Sequence, residues 1–309
     1  MRALRKWWVK AGVQGVVSVL PERASEVVNG RLQALGGGGA ALSATTVAHK
    51  VEQANHHLDA WEGFRARDAA SPRVLEVGTG WFPLVPLLMY AYGADLVQSF
   101  DVRRLTTPGR IRAAAGAVAS LGDALGERAD PERVDRLRYL SVTPDADVAA
   151  RLGDMHVSFH TGRVTTSSVT RDSFDVGISD NTLEHVPPAQ IHDLCVAMAA
   201  AVGAGGVIDH FVDASDHYAH FDRSITEYNF LRWDDRAWKV INNRLLYQNR
   251  LRQADYTPVL EGAGLRVVAS DWTPGRPDEV ALLDLAPRFR GRPVGDLAPL
   301  RGYVTAVVD

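Results

Sequence analysis

The sequence predicts an α/β fold: a mostly parallel sheet with helices on both faces, a helical cap ahead of it and a helical insert after the fifth strand. Three observations carry this reading. From Arg73 onward, short apolar runs alternate with longer helical patterns, as in a parallel sheet buried on both faces. The first run, Val74-Leu75-Glu76-Val77, ends in Gly78-Thr79-Gly80, where glycines let the chain turn tightly against a ligand. Roughly forty residues then separate the fifth strand from the next recognisable helix, where a compact connection takes a handful.

Met1 to Leu20 mixes Arg2, Arg5, Lys6 and Lys10 with Trp7, Trp8, Val9, Val13, Val16, Val17 and Leu20. Polar and glycine residues interrupt this apolar run and no small-residue cleavage site is evident, so it reads as a helix packed on the main domain rather than as a signal peptide. Paired tryptophans beside basic residues also suit a lipid headgroup layer, so peripheral membrane contact through residues 1–20 is a competing expectation, and dimerisation another. No run reaches about 18 uninterrupted apolar residues, so no membrane span is expected. Gly36-Gly37-Gly38-Gly39 reads as a hinge, and Ser43 to Arg67 as a helix bearing Lys50, Glu52, His56, His57 and Trp61. The expected division is a helical cap over 1–70 and a main domain over 71–309 that carries an insert or lid over 213–253.

Within the main domain the expected order begins with strand Arg73 to Val77, helix Pro83 to Tyr92, strand Leu96 to Phe100 and helix Ile111 to Leu125. Strands His156 to Phe159 and Phe174 to Ser179 follow. A helix carrying Ile191, Leu194, Cys195, Met198 and Val202 then ends at Gly203-Ala204-Gly205-Gly206. Strand Val207 to Val212 precedes the insert; helix Ala254 to Ala263, strand Leu265 to Ala269 and an edge strand from Gly302 to Val308 close the chain.

With hydrophobic residues at 46%, the chain can bury the core such a domain needs. Its 34 basic and 37 acidic residues leave a net charge of -3, so no global field recommends a nucleic acid partner. The single Cys195 excludes an internal disulfide and a cysteine metal cluster, which fits a reducing cytoplasm. In the turn region Asp101, at the end of the second strand, is placed to take a ribose hydroxyl, but Trp81-Phe82-Pro83 stands where a dinucleotide fingerprint would have its third glycine. The insert is rich in groups that bind or transfer protons, including His210, Asp213, Asp216, His217 and His220. Springing from the carboxyl end of a strand, it would roof the ligand cleft and form the acceptor site.

Leu75-Glu76-Val77-Gly78-Thr79-Gly80, then Asp101, then Phe174-Asp175-Val176 through Ser179 with Leu183-Glu184-His185-Val186 resemble, in that order, the class I S-adenosylmethionine-dependent methyltransferases. Asp209 through Tyr256, with Asp216-His217, Tyr228-Asn229-Phe230-Leu231 and Tyr247-Gln248-Asn249-Arg250-Leu251-Arg252, is similar to a type 11/12-like bacterial subgroup associated with polysaccharide or secondary-metabolite pathways. The resemblance implies a Rossmann-like, seven-stranded sheet and S-adenosyl-L-methionine as methyl donor. Glu76, Gly78, Thr79 and Gly80 would hold its methionine side, Asp101 its ribose, Arg163 and Val164 its adenine, and Asp180 would face the methionine moiety or the methyl-transfer zone.

The activity implied is methyl transfer to a hydroxyl of a sugar, glycan or secondary metabolite, with a histidine as general base: His210 first, then His217 and His185. Tyr228, Asn229, Trp233, Tyr247, Arg250 and Arg252 would contact the acceptor. No resident metal is expected, although Asp209, His210, Asp213, Asp216, His217 and His220 are residue types that hold magnesium or a transition ion beside a sugar diol. An NAD-dependent oxidoreductase shares the strand, the glycine turn and the acid, and a non-catalytic binding or scaffold protein would keep the fold alone; both remain alternatives.

Overall fold

A computed structural model describes residues 6–19, 42–67 and 69–309; the proposed hinge at Gly36 to Gly39 lies outside them. One sheet of seven strands organises the chain: β1 (Arg73–Val77), β2 (Leu96–Asp101), β3 (Val157–Thr161), β4 (Val176–Asp180), β5 (Val207–Asp213), β6 (Leu265–Trp272) and β7 (Arg301–Val308). Their order is β3-β2-β1-β4-β5-β7-β6, parallel throughout except for β7, which runs antiparallel to both β5 and β6. This is the seven-stranded, mostly parallel α/β architecture expected. The order reverses between β1 and β4, which places a crevice at their carboxyl ends.

Strand pleating sorts the side chains. Val74, Val97, Val176, Ile178, Val207 and Val307 pack under α2 (Ala44–Phe64), α3 (Leu84–Ala91) and α4 (Pro108–Leu121). The same layer holds α5 (Pro131–Ser141) and α6 (Val148–Asp154), two helices absent from the sequence reading. Leu75, Ile208, Val304 and Ala306 point the other way, into α7 (Pro188–Val202) and α9 (Gln253–Gly262), where Cys195 is buried as a structural thiol. Helix α2 starts at a Ser43 cap whose hydroxyl accepts from the Thr46 amide (3.1 Å), and its buried face carries Ala54, Leu58 and Trp61.

The insert between β5 and α9 has its own apolar centre. Tyr228, Phe230, Leu231 and Trp238, the last on α8 (Asp235–Ile241), pack against Val280, Phe289, Leu297 and Leu300 from the segment between β6 and β7. Helix α1 (Trp7–Ser18) docks on this unit: the Trp7 ring lies 5.8 Å from Tyr218 and 5.7 Å from Trp233, and its amide donates to Asp222 (3.0 Å). Of the tryptophan pair, Trp8 is left exposed. No helix among the described residues is long and apolar enough to cross a membrane.

Arg252 joins the insert to the β7 side. Its wholly buried guanidinium donates to the carbonyls of Ala214, Leu297 (2.8 Å) and Pro299. Arg252→Met fills similar volume but leaves these carbonyls without a donor, at about 1–3 kcal/mol each, so urea denaturation should show a loss of at least about 3 kcal/mol. A loss below about 1 kcal/mol would show that the carbonyls find other donors.

Candidate functional site

The glycine turn is shaped by its neighbour in the crevice. Gly78 has φ +98° and a Cβ there would overlap Thr182 Oγ1, which itself donates towards the carbonyls of Val77 (3.1 Å) and Asp180 (3.0 Å). Only glycine allows the chain after β4 to cross so closely. Gly80 has φ +66° with open space on its Cβ side, so its backbone can meet a ligand. Asp101 is fixed beside it: the Gly80 amide donates to Oδ2 (2.9 Å) and the Arg103 amide to Oδ1 (2.9 Å). Each carboxylate oxygen retains a lone pair for a further donor. Trp81 carries the Arg110 guanidinium over its ring at 4.2 Å.

Alternate positions on the α2 side of the sheet form a buried polar stripe: Glu76, Ser99, Asp180, Asp209 and Thr305. Ser99 donates to Glu76 and bonds Thr79, and burial, reinforced by the charge of Asp180, pushes the Glu76 carboxyl up to about 8. His57 of α2 lies between two of these acids, with Nδ1 2.6 Å from Asp209 Oδ2 and Nε2 3.3 Å from Asp180 Oδ2. Burial alone would discharge this imidazole, yet the flanking carboxylates raise it to about 10. Thr305 donates to the other Asp209 oxygen (2.7 Å), and His56 stacks on Tyr303 at 3.4 Å. Apart from His57 Nε2 beside Oδ2, the Asp180 carboxylate has no donor, and its Oδ1 accepts no hydrogen bond. Lys50 and Gln53, on the same face of α2 as His57, reach Asn181 Oδ1 at 3.4 and 3.5 Å.

His57, Lys50 and Gln53 were not among the expected site residues. Their spacing, i, i+3 and i+7, marks one polar helix face, and that was the available signal.

His210 belongs to the opposite face of β5 from Asp209, and this corrects its expected role. Its Nδ1 bonds Ser179 Oγ (2.8 Å), the residue is fully buried, and burial depresses its pKa to about 4. None of its surface is open to solvent. The acids and histidines considered for a metal are also dispersed. Asp209 goes to His57, Asp213 to Arg301 (3.1 Å), Asp216 to the Asn229 amide (3.2 Å), and His220 to Ser215 (3.2 Å).

Glu184, His185 and His217 come together instead, at the mouth between β4 and the insert. One potential ligand atom from each lies within 4.8 Å of the others. Glu184 is buried with no hydrogen bond to either carboxylate oxygen, and burial together with the charge of Asp213 pushes its pKa well above the usual range. His185 is exposed, and its Nδ1 bonds the Tyr247 carbonyl (2.7 Å).

Several expected acceptor contacts serve the insert's own structure. Arg250 donates to the carbonyls of Phe230 (3.1 Å) and Trp233 and to Asp235 (2.7 Å), while Arg252 is spent on the three carbonyls described above. The Tyr228 hydroxyl donates to Ala298 O (2.7 Å) and accepts from the Arg276 amide (2.7 Å). Asn229 is tied to Asp216, and Trp233 packs on Trp7. Tyr247 offers its carbonyl to His185. On the far side of the crevice Val164 is buried, while the exposed Arg163 donates to Gln190 (2.8 Å).

No family model and no curated protein matches the chain. Among solved structures it is similar to an S-adenosylmethionine-dependent methyltransferase from Mesorhizobium loti, at 13% identity over 80% of this chain and 95% of that one, with a TM-score of 0.42. It is also similar to a SAM-dependent methyltransferase from Methanosarcina mazei, at 12% identity over 78% and 93% of the two chains, TM-score 0.45. A third is geranyl diphosphate C-methyltransferase from Streptomyces coelicolor A3(2), in complex with Mg2+, geranyl diphosphate and S-adenosyl-L-homocysteine: 10% identity over 84% and 78%, TM-score 0.45.

Proposed function

We propose that the chain is an S-adenosylmethionine-dependent methyltransferase acting on a hydroxyl of a small polyhydroxylated acceptor, such as a sugar, glycan or secondary metabolite. The observation that carries this reading is the crevice at the reversal of strand order, where the Gly78 to Gly80 turn and the fixed Asp101 carboxylate meet the buried Asp180, whose Oδ1 accepts no hydrogen bond. These groups fit the donor: Asp101 for the ribose hydroxyls, the Gly80 side of the turn for close backbone approach, and Asp180 with Asn181 for the ammonium of the amino-acid tail. The donor supplies an electrophilic methyl group whose sulfur departs with the bonding pair.

The chain's own work is to align the acceptor oxygen with that methyl and to take the hydroxyl proton. Glu184, His185 and His217 converge at the mouth between β4 and the insert, where the acceptor hydroxyl would be held. Helix α2 closes the α2 side of the crevice through Lys50, Gln53 and His57.

Calorimetric titration of the full chain with S-adenosylhomocysteine and with NAD separates the readings. One S-adenosylhomocysteine per chain and no NAD is the expected outcome; the reverse pattern would sink the proposal. Transfer of labelled methyl from S-adenosylmethionine to a panel of sugars and polyols then tests the acceptor class.

A further inference from the structure

We propose that Glu184, His185 and His217 bind a divalent first-row transition ion, through one carboxylate oxygen and two imidazole nitrogens, in the mouth between β4 and the insert. Two observations point to a ligand independently of the donor site. The buried Glu184 carboxylate has no hydrogen-bond donor on either oxygen, and the Nε2 of His217, whose ring packs 5.0 Å from that of His185, is equally without a partner. Native proteins rarely leave such groups unpaired, because each costs about 1–3 kcal/mol or more. One cation answers both.

The geometry is already oriented. The bond from His185 Nδ1 to the Tyr247 carbonyl requires the proton on that nitrogen, so Nε2 presents its lone pair, the arrangement by which outer partners orient metal-binding histidines. The ligand atoms lie within 4.8 Å of one another, and a bound ion would draw them to the separation of about 3.3 Å that metal–ligand bonds of about 2.0–2.2 Å require. Two imidazoles with one carboxylate favour zinc, cobalt or iron over magnesium or calcium, which prefer all-oxygen sets.

Three protein ligands leave at least one coordination position open, and the exposed His185 marks the side from which it is reached. An acceptor hydroxyl bound there would lose its proton to solvent more readily, so that no side chain need take it. That use rests on the methyl-transfer reading; the ion site does not.

The test is titration of the chelator-treated full chain with Co2+, followed by visible absorption and equilibrium dialysis. One ion per chain is expected, with a rise in melting temperature on saturation. His217→Ala and Glu184→Gln should each weaken binding by more than about 100-fold and abolish that rise, whereas His192→Ala, at an exposed histidine on α7, should leave both unchanged. Far-ultraviolet circular dichroism of each variant confirms folding, and the nearly isosteric Glu184→Gln carries the test should His217→Ala unfold. No stoichiometric binding, or binding unchanged in Glu184→Gln and His217→Ala, overturns the site. S-adenosylhomocysteine titration of the same samples reports on the donor site separately, so failure of one does not entail failure of the other.

Discussion

Asp101→Ala is expected to weaken S-adenosylhomocysteine binding by about 100-fold, while the melting temperature of the ligand-free chain changes little. The carboxylate would accept two charge-assisted hydrogen bonds from a ribose diol, each contributing about 1.5 kcal/mol or more, and about 2.8 kcal/mol corresponds to a 100-fold change in affinity. The same side chain receives the amides of Gly80 and Arg103, so the variant also probes the turn proposed to meet the methionine side. Calorimetric affinity of the variant is the readout. An affinity within about threefold of the parent would place the ribose elsewhere and remove the main support for the donor site.

His57→Gln is expected to give the largest loss of stability of any single change in the polar stripe, about 3–5 kcal/mol at neutral pH by chemical denaturation, because it removes the cation from between two buried carboxylates. Its pH dependence distinguishes this from a packing effect. The folded chain holds the His57 proton up to about pH 10, whereas the unfolded chain releases it near about 6.5. That contribution is therefore fully present below about pH 6.5 and is lost as pH rises through 10. Glu76 acts in the same direction: kept neutral by burial up to about 8, it withdraws stability progressively as pH climbs from its ordinary value near 4.5. Melting temperatures of the parent chain should fall steadily from mildly acidic to alkaline pH. His57→Gln should flatten the alkaline part of that slope, and Glu76→Gln the part below about pH 8. A parent chain whose melting temperature is level between pH 6.5 and 9 would show that His57 is not charged in the fold.

Local features were legible in the sequence where the physics is local. β1 and β5 are short apolar runs, the turn at Gly78 needs positive φ, and helix α7 carries its apolar period and closing glycine in plain view. Helix α5 escaped because its polar and charged residues outnumber a narrow buried stripe, Val134, Leu137 and Leu140 being its whole inward face, and α6 because seven residues with two buried, Val148 and Leu152, show no helical period. The insert stands out as an excess of length, but its centre does not, since most of that core comes from residues beyond β6, among them Val280, Phe289, Leu297 and Leu300.

The candidate site divides along the same line. Glu76, Gly78, Gly80, Asp101 and Asp180 sit at strand ends, where position along the chain already implies the carboxyl edge of a parallel sheet. Arg250 and Arg252 looked like anion clamps, and nothing in the sequence distinguishes an arginine aimed at a ligand from one aimed at buried carbonyls; the distinction is made by the fold around it. His210 and Asp209 are neighbours in sequence on opposite faces of one strand, so the histidine that seemed best placed is enclosed while its neighbour pairs with His57 across more than a hundred residues.

By itself, then, the sequence determined the alternation of strand and helix, the glycine turn and its acid, and the place of the insert. Each of these depends on residues close together along the chain, on side-chain period and on backbone freedom. Only the tertiary structure decided that β7 enters antiparallel between β5 and β6, that α2 delivers a charged imidazole into the acidic stripe, and that Glu184, His185 and His217 converge. Those outcomes turn on which faces pack together and which buried polar groups find partners, and both are settled by contacts between segments that the chain order keeps apart.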